Sequence, residues 1–195
     1  MLRDLESATL WLSIAATPLH FGTTFFNSRL VNGAVVNGRI FSDAERILVT
    51  TLNFTTLGAD FALLSFGFVN LYEKANNKQL TTLDVLQFSM SVFFFSNTLI
   101  RPQTASAIIE NAQKNHIQNY ASSITDAEAK ATFDKFVAEN SGDGGIKQRS
   151  KIVRTINRIE NPDALFSNLK NSESILIGGR KGRSLLINEG TSVQR

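Results

Sequence analysis

Thr81-Thr82-Leu83-Asp84-Val85-Leu86-Gln87-Phe88-Ser89-Met90-Ser91-Val92-Phe93-Phe94-Phe95-Ser96-Asn97-Thr98-Leu99-Ile100 is the stretch on which the fold turns. Its opening reads as a helix start: a hydroxyl to cap the free amides, and Asp84 in the positive first turn. From Val85 to Ile100 it is the densest apolar run of the chain, 16 residues without a charge. Arg101-Pro102 ends it, and Pro102 is expected to open a further helix reaching about Tyr120.

Toward the N-terminus, Ser42-Asp43-Ala44-Glu45 is a capping box, followed by a segment from Ile47 to Tyr72 whose one charge is Asp60. Gly58 and Gly67 within it either admit a close helix neighbour or bend it into two helices. Asn76-Asn77-Lys78 closes it as a polar turn. Residues 5–31 read as a first helix, broken or kinked at Pro18, and Val31 to Arg39 as a loop because of Asn32-Gly33 and Asn37-Gly38.

Toward the C-terminus, Thr125-Asp126-Ala127-Glu128 is a second capping box, opening a helix to Asn140. Ser141-Gly142-Asp143-Gly144-Gly145 is a flexible joint or tight turn. A basic amphipathic helix over about 146–160 follows, and then a short helix to Leu169 with Asn161 as cap and Pro162 first. Ser174–Ile177 and Ser184–Ile187, joined by Gly178-Gly179-Arg180-Lys181-Gly182, read as a small β-hairpin.

The expected fold is therefore mainly α: six to eight helices in a multi-helix bundle-like domain, with a small C-terminal β-hairpin. Residues 1–140 form an apolar helical core domain. Residues 146–190 supply the basic helix, the short helix and the hairpin, packed on that core. The apolar segments are expected to bury one another. The alternative is a hairpin inserted in lipid, for which about 20 predominantly apolar residues are needed per span.

Composition narrows the function. The 195 residues hold no Cys, which removes disulfides, thiolate zinc sites and cysteine nucleophiles, and 15 Phe against one Trp and two Tyr, which favours dry helix packing. Asn53-Phe54-Thr55 is a glycosylation sequon by chance, inside an apolar helix. Mixed charges in Met1–Glu6 do not resemble a secretory signal, which favours an intracellular location. His20 and His116 sit in no catalytic motif, and Asp60 and Asp84 are lone carboxylates in apolar segments. No catalytic, cofactor-binding or metal-ligating residues are assigned, no cofactor is expected, and an enzyme is the minority reading.

The charge is uneven. Residues 145–195 carry ten Lys/Arg against four Asp/Glu, whereas residues 1–120 are balanced at eight each. Lys147, Lys151, Arg154 and Arg158 recur at i, i+4, i+7 and i+11, one stripe of a helix opposite Ile152, Val153, Ile156 and Ile159. With Arg180, Lys181 and Arg183 they are the candidate anion-binding residues, toward nucleic acid or lipid headgroups. The plainer reading is a solvated face, since no aromatic residues interleave the basic ones.

Two groups of residues carry a resemblance. Leu80 to Phe95, with Asn97-Thr98-Leu99-Ile100 and Thr104-Ala105-Ser106, is one. Ile156-Asn157-Arg158-Ile159-Glu160 with Ile177 to Arg183 is the other. Together they resemble a family of uncharacterised insect proteins grouped as a domain of unknown function, over most of residues 15–190. The resemblance implies an insect source and brings no activity, cofactor or site residue. The expected role is a non-enzymatic structural or interaction module, with a protein partner or self-association. The alternatives are a membrane-associated protein, or a binder of nucleic acid or anionic lipid through the basic region.

Overall fold

The computed structural model describes residues 2–101, 103–142, 145–171, 175–177, 185–188 and 191–193. The chain is mainly helical. Among the described residues there are seven helices: α1 (Leu2–Val36), α2 (Asp43–Asn76), α3 (Thr82–Ile100), α4 (Ala105–Ser123), α5 (Ala127–Ser141), α6 (Gly145–Ile156) and α7 (Pro162–Asn168). They divide into two compact units, one of residues 1–28 and 43–105, the other of residues 29–42 and 106–195.

The first unit holds most of α1, all of α2 and α3. Thr81 caps α3 as a full capping box: its Oγ1 accepts from the Asp84 amide at 3.2 Å while Asp84 Oδ2 accepts from the Thr81 amide at 3.0 Å. Pro18 does not break α1, and α2 is a single helix of 34 residues rather than two. Gly67 explains part of this: a Cβ there would already lie 3.6 Å from the Phe88 ring, so the glycine lets α3 approach α2 closely.

The second unit contains the dense core. Phe133, Phe136 and Phe166 are fully buried with Ile152, Val153, Ile156 and Leu169 around them. Phe133 meets Phe166 edge-on at 5.2 Å and Tyr120 at 5.3 Å. Asp126 caps α5, accepting from the Glu128 and Ala129 amides, so the cap falls one residue later than the capping box places it. Thr125 turns instead to Asp163, which accepts from its amide and its hydroxyl, both at 2.9 Å. Asn161 caps α7 with Pro162 at the first position, as its sequence requires.

Two expected boundaries move. The loop over residues 31–39 is helical as far as Val36. Asn157 Nδ2 donates to the Val35 and Val36 carbonyls at 2.7 and 3.0 Å, capping the end of α1 from far along the chain, and Gly33 leaves room for the Phe41 ring. Likewise α4 starts at Ala105 rather than at Pro102.

The expected hairpin is not found. Ile175–Leu176 (β1) runs parallel to Leu185–Asn188 (β2), with Ile175 beside Leu185, and β2 takes Thr191–Val193 (β3) as its antiparallel neighbour. Side chains of α5 claim one edge of β1: Glu139 accepts from the Ile175 amide, while Asn140 donates to the Ile175 carbonyl and accepts from the Ile177 amide.

Candidate functional site

Polar residues recur in α1 at His20, Thr23 and Asn27, and in α2 at Asn53, Thr56 and Asp60, each set spaced i, i+3 or i+4, i+7. That spacing puts each set on one helix face, and the two faces meet. His20 Nε2 lies 2.8 Å from Asp60 Oδ1, Thr23 Oγ1 2.7 Å from Thr56 Oγ1, and Asn27 Nδ2 3.0 Å from Asn53 Oδ1. The α2 number falls as the α1 number rises, so the helices are antiparallel. Asn53 also donates to the Gln103 carbonyl at 2.9 Å, and Thr50 Oγ1 accepts from the Ala105 amide. On the far side Lys74 reaches Asp84 at 2.6 Å, while Phe68 pairs with Phe88 and Phe61 with Phe95, making α3 antiparallel to α2 as well.

The apolar side chains do the opposite. The expectation that these segments bury one another fails: α3 has no buried residue, and Phe93, Phe94 and Ile100 are 68, 60 and 83% exposed. Leu10, Ile14, Phe21 and Phe25 of α1, and Leu48, Phe54, Phe61 and Phe68 of α2, are exposed too. Asn53 and Thr56 are thus buried at the seam of α1 and α2 while much of the hydrocarbon faces outward, opposite to the apolar-in, polar-out pattern of an amphipathic surface helix. Periodicity shows that a helix has two faces; it does not show which one turns inward.

Several outward hydroxyls are already satisfied. Ser65 donates to the Phe61 carbonyl, Ser89 to Val85 and Thr55 to Thr51, each within its own helix. A hydroxyl bonded in this way needs no water. Among the described residues two helices are long and apolar enough to cross a membrane, α2 and α3. The single Trp, Trp11, is 69% exposed, and the antiparallel register sets it toward the same end of the unit as the exposed Tyr72 and the partly buried Lys74.

Within this unit a cavity of about 550 Å³ lies among α1, α2 and α3, bordered by His20, Asp60, Asn70, Lys74, Asp84 and Ser91. Sequence reading had His20 and Asp60 singly and missed their pairing. The mirrored polar spacing of α1 and α2 was the signal that could have found it.

The candidate anion-binding residues divide. Lys147, Lys151 and Arg154 lie exposed on α6, and Arg158 lies exposed in the turn beyond its end. Arg154 has structural work: its Nε donates to the Gly38 carbonyl at 3.0 Å. Arg149, on the same helix but off the stripe, pairs with Glu110 at 3.1 Å. Arg180, Lys181 and Arg183 lie outside the described residues. His116 hydrogen-bonds Asn157 Oδ1 at 2.7 Å, the residue that caps α1. No group of three or more metal-ligating side chains occurs among the described residues.

These features define a mainly helical protein with one unit that wears its hydrocarbon outside and one with an ordinary buried core. Residues 1–157 match the family described as Domain of unknown function (DUF4781), and the chain belongs to that family. The match includes the Leu80–Phe95 segment and stops short of Ile177–Arg183. No curated protein and no solved structure matches the chain.

Proposed function

We propose that this chain is a non-enzymatic membrane protein whose first unit inserts α2 and α3, with the apolar part of α1, into the lipid bilayer. The observation that carries this reading is the inverted polarity: α3 buries no residue, while polar side chains of α1 and α2 pair with one another. In water each exposed Phe or Leu forfeits roughly 1.5–3 kcal/mol of available burial. In lipid that penalty disappears, and inward pairing of polar groups is what hydrocarbon surroundings demand.

The dimensions support it. Leu83 to Ile100 rises about 27 Å as an α-helix, against a hydrocarbon thickness of about 30 Å. Trp11 and Tyr72 suit the aromatic belt at one boundary, with Lys74 and Lys78 beyond it, while Arg46 and Arg101 stand at the other ends of α2 and α3.

The test is flotation of the purified chain with phosphatidylcholine vesicles and with anionic vesicles, at low and high salt. The expected result is flotation with both, unaffected by salt. A chain that stays at the bottom as a stable oligomer would mean that a second copy covers the apolar faces, and the proposal would fall.

A further inference from the structure

Leu83, Gln87, Met90, Phe94 and Asn97 follow one another in α3 at intervals of four, three, four and three residues. At about 3.6 residues per turn they form one stripe, about a third of a turn round from Asp84, Phe88 and Phe95, which face α2. All five are exposed, Leu83, Met90 and Phe94 at 60, 52 and 60%. A repeat of about 3.5 residues keeps such a stripe against a partner helix along its whole length.

Two carboxamides interrupt the hydrocarbon of this stripe. The side chains of Gln87 and Asn97 have no hydrogen-bond partner among the described residues. At about 1.5 Å per residue, Gln87 lies about 6 Å inside the span from Leu83, and Asn97 about 4.5 Å inside it from Ile100. The hydroxyls of Ser89, Ser91 and Thr98 on the same helix are satisfied by their own backbone. Gln87 and Asn97 have no such relief, and in hydrocarbon an amide of this kind bonds across to another helix.

A carboxamide carries both donors and an acceptor, so it is its own complement. The first unit already contains such a pair: Asn27 and Asn53 each donate to the other's Oδ1, at 3.0 and 3.3 Å. Copies inserted by the same route point α3 the same way. A two-fold axis along the bilayer normal then brings each residue of the stripe against its own counterpart.

Resting on the membrane reading above, we propose that α3 is a self-association face occupied by a second copy of this chain. The two α3 helices pack in parallel along Leu83, Met90 and Phe94, and Gln87 and Asn97 each bond the same residue of the partner. Gln87 and Phe94 also border the cavity of the first unit, so the partner helix runs along its rim.

The chain has no Cys, so single introduced cysteines report contact without background. Full chains carrying Leu83→Cys, Met90→Cys, Ser89→Cys or Ser96→Cys would each be oxidised in phosphatidylcholine vesicles at high lipid excess. Disulfide dimers are expected with Leu83→Cys and Met90→Cys. They are not expected with Ser89→Cys or Ser96→Cys, which are exposed too but lie about a third of a turn away. Added to Met90→Cys, the Gln87→Leu/Asn97→Leu pair should slow cross-linking about tenfold or more, and Ser89→Ala should leave it unchanged. Cross-linking at the serine positions in place of the stripe, equal cross-linking at all four, or an undiminished rate in the leucine pair overturns the proposal. Should the leucine pair lose its helicity, the cysteine positions decide. Flotation of the same samples separates the two readings: a chain that floats without cross-linking refutes self-association and leaves the membrane reading standing, while a chain that does not float refutes both.

Discussion

His20 Nε2 and Asp60 Oδ1 stand 2.8 Å apart, joining α1 to α2 forty residues away at the middle of an otherwise uncharged span. Removing one member takes from the other its partner across the two helices. His20→Leu and Asp60→Leu are each expected to cost about 1–3 kcal/mol, and the double variant less than their sum. Thermal loss of helicity in vesicles would measure this; strictly additive losses would show that the two do not interact.

Phe93 offers the sharpest distinction between lipid and water. It lies mid-helix in α3 and faces outward. Phe93→Lys should weaken vesicle partition by about 3 kcal/mol, more than a hundredfold, because a lysine at the centre of a span is that unfavourable. In a water-soluble protein the same exposed substitution would leave stability nearly untouched. Flotation and unfolding of the variant decide between the two.

The second unit should respond as an ordinary core. Phe133 is 1% exposed and touches Tyr120, Phe136 and Phe166. Phe133→Ala is expected to lose about 3–5 kcal/mol. Protection of α5 and α7 amides in hydrogen exchange would report it, with α3 unaffected.

Gly38 has φ of +54°, and a Cβ there would come within 2.6 Å of the Ser150 carbonyl oxygen. Gly38→Ala should therefore destabilise by more than about 1 kcal/mol, through backbone strain and collision together. Denaturant unfolding monitored at the second unit tests this; an unchanged midpoint would show that the turn can relax.

Acid and alkali act on different groups. The Ala129 and Glu128 amides hold the Asp126 carboxyl below the usual range, and the Asp126 amide with the Thr125 hydroxyl does the same for Asp163. Their contribution is complete above the unfolded value of about 4 and is lost as pH falls through the lower folded values. Conversely, Glu128 raises Lys170, and burial raises Tyr120 to about 12. The stability linked to those groups is present below about pH 10 and lost as pH rises through the folded values. A pH series of melting temperatures should fall at both ends, and Asp163→Asn should flatten the acid limb.

Much of this fold is written locally. The Thr81–Asp84 capping box, the Asn161-Pro162 start of α7 and the apolar run of α3 all work within a few residues, so reading them in order suffices. What escaped was carried by distant partners. Asn32-Gly33 has the composition of a turn, yet Phe41 packs against Gly33, and Asn157 closes the helix beyond it. The edge of β1 is held by Glu139 and Asn140 of α5, partners some 36 residues away that no local reading offers. At the site, each polar residue of α1 and α2 was visible singly. Its meaning lay in the other helix, and the direction of the hydrocarbon faces lay in no single helix at all.

The hydrogen bonds from Asn157 to the end of α1 cross 121 and 122 residues. At a ribosomal rate of 5–20 residues per second, the carbonyls of Val35 and Val36 wait roughly 6–24 s for their donor to be made. Residues 43–105, the whole remainder of the first unit, are synthesised within that interval. The helices of the first unit are thus made before residue 157 exists, so α1 stays open at Val35 and Val36 until the later part of the second unit has been synthesised.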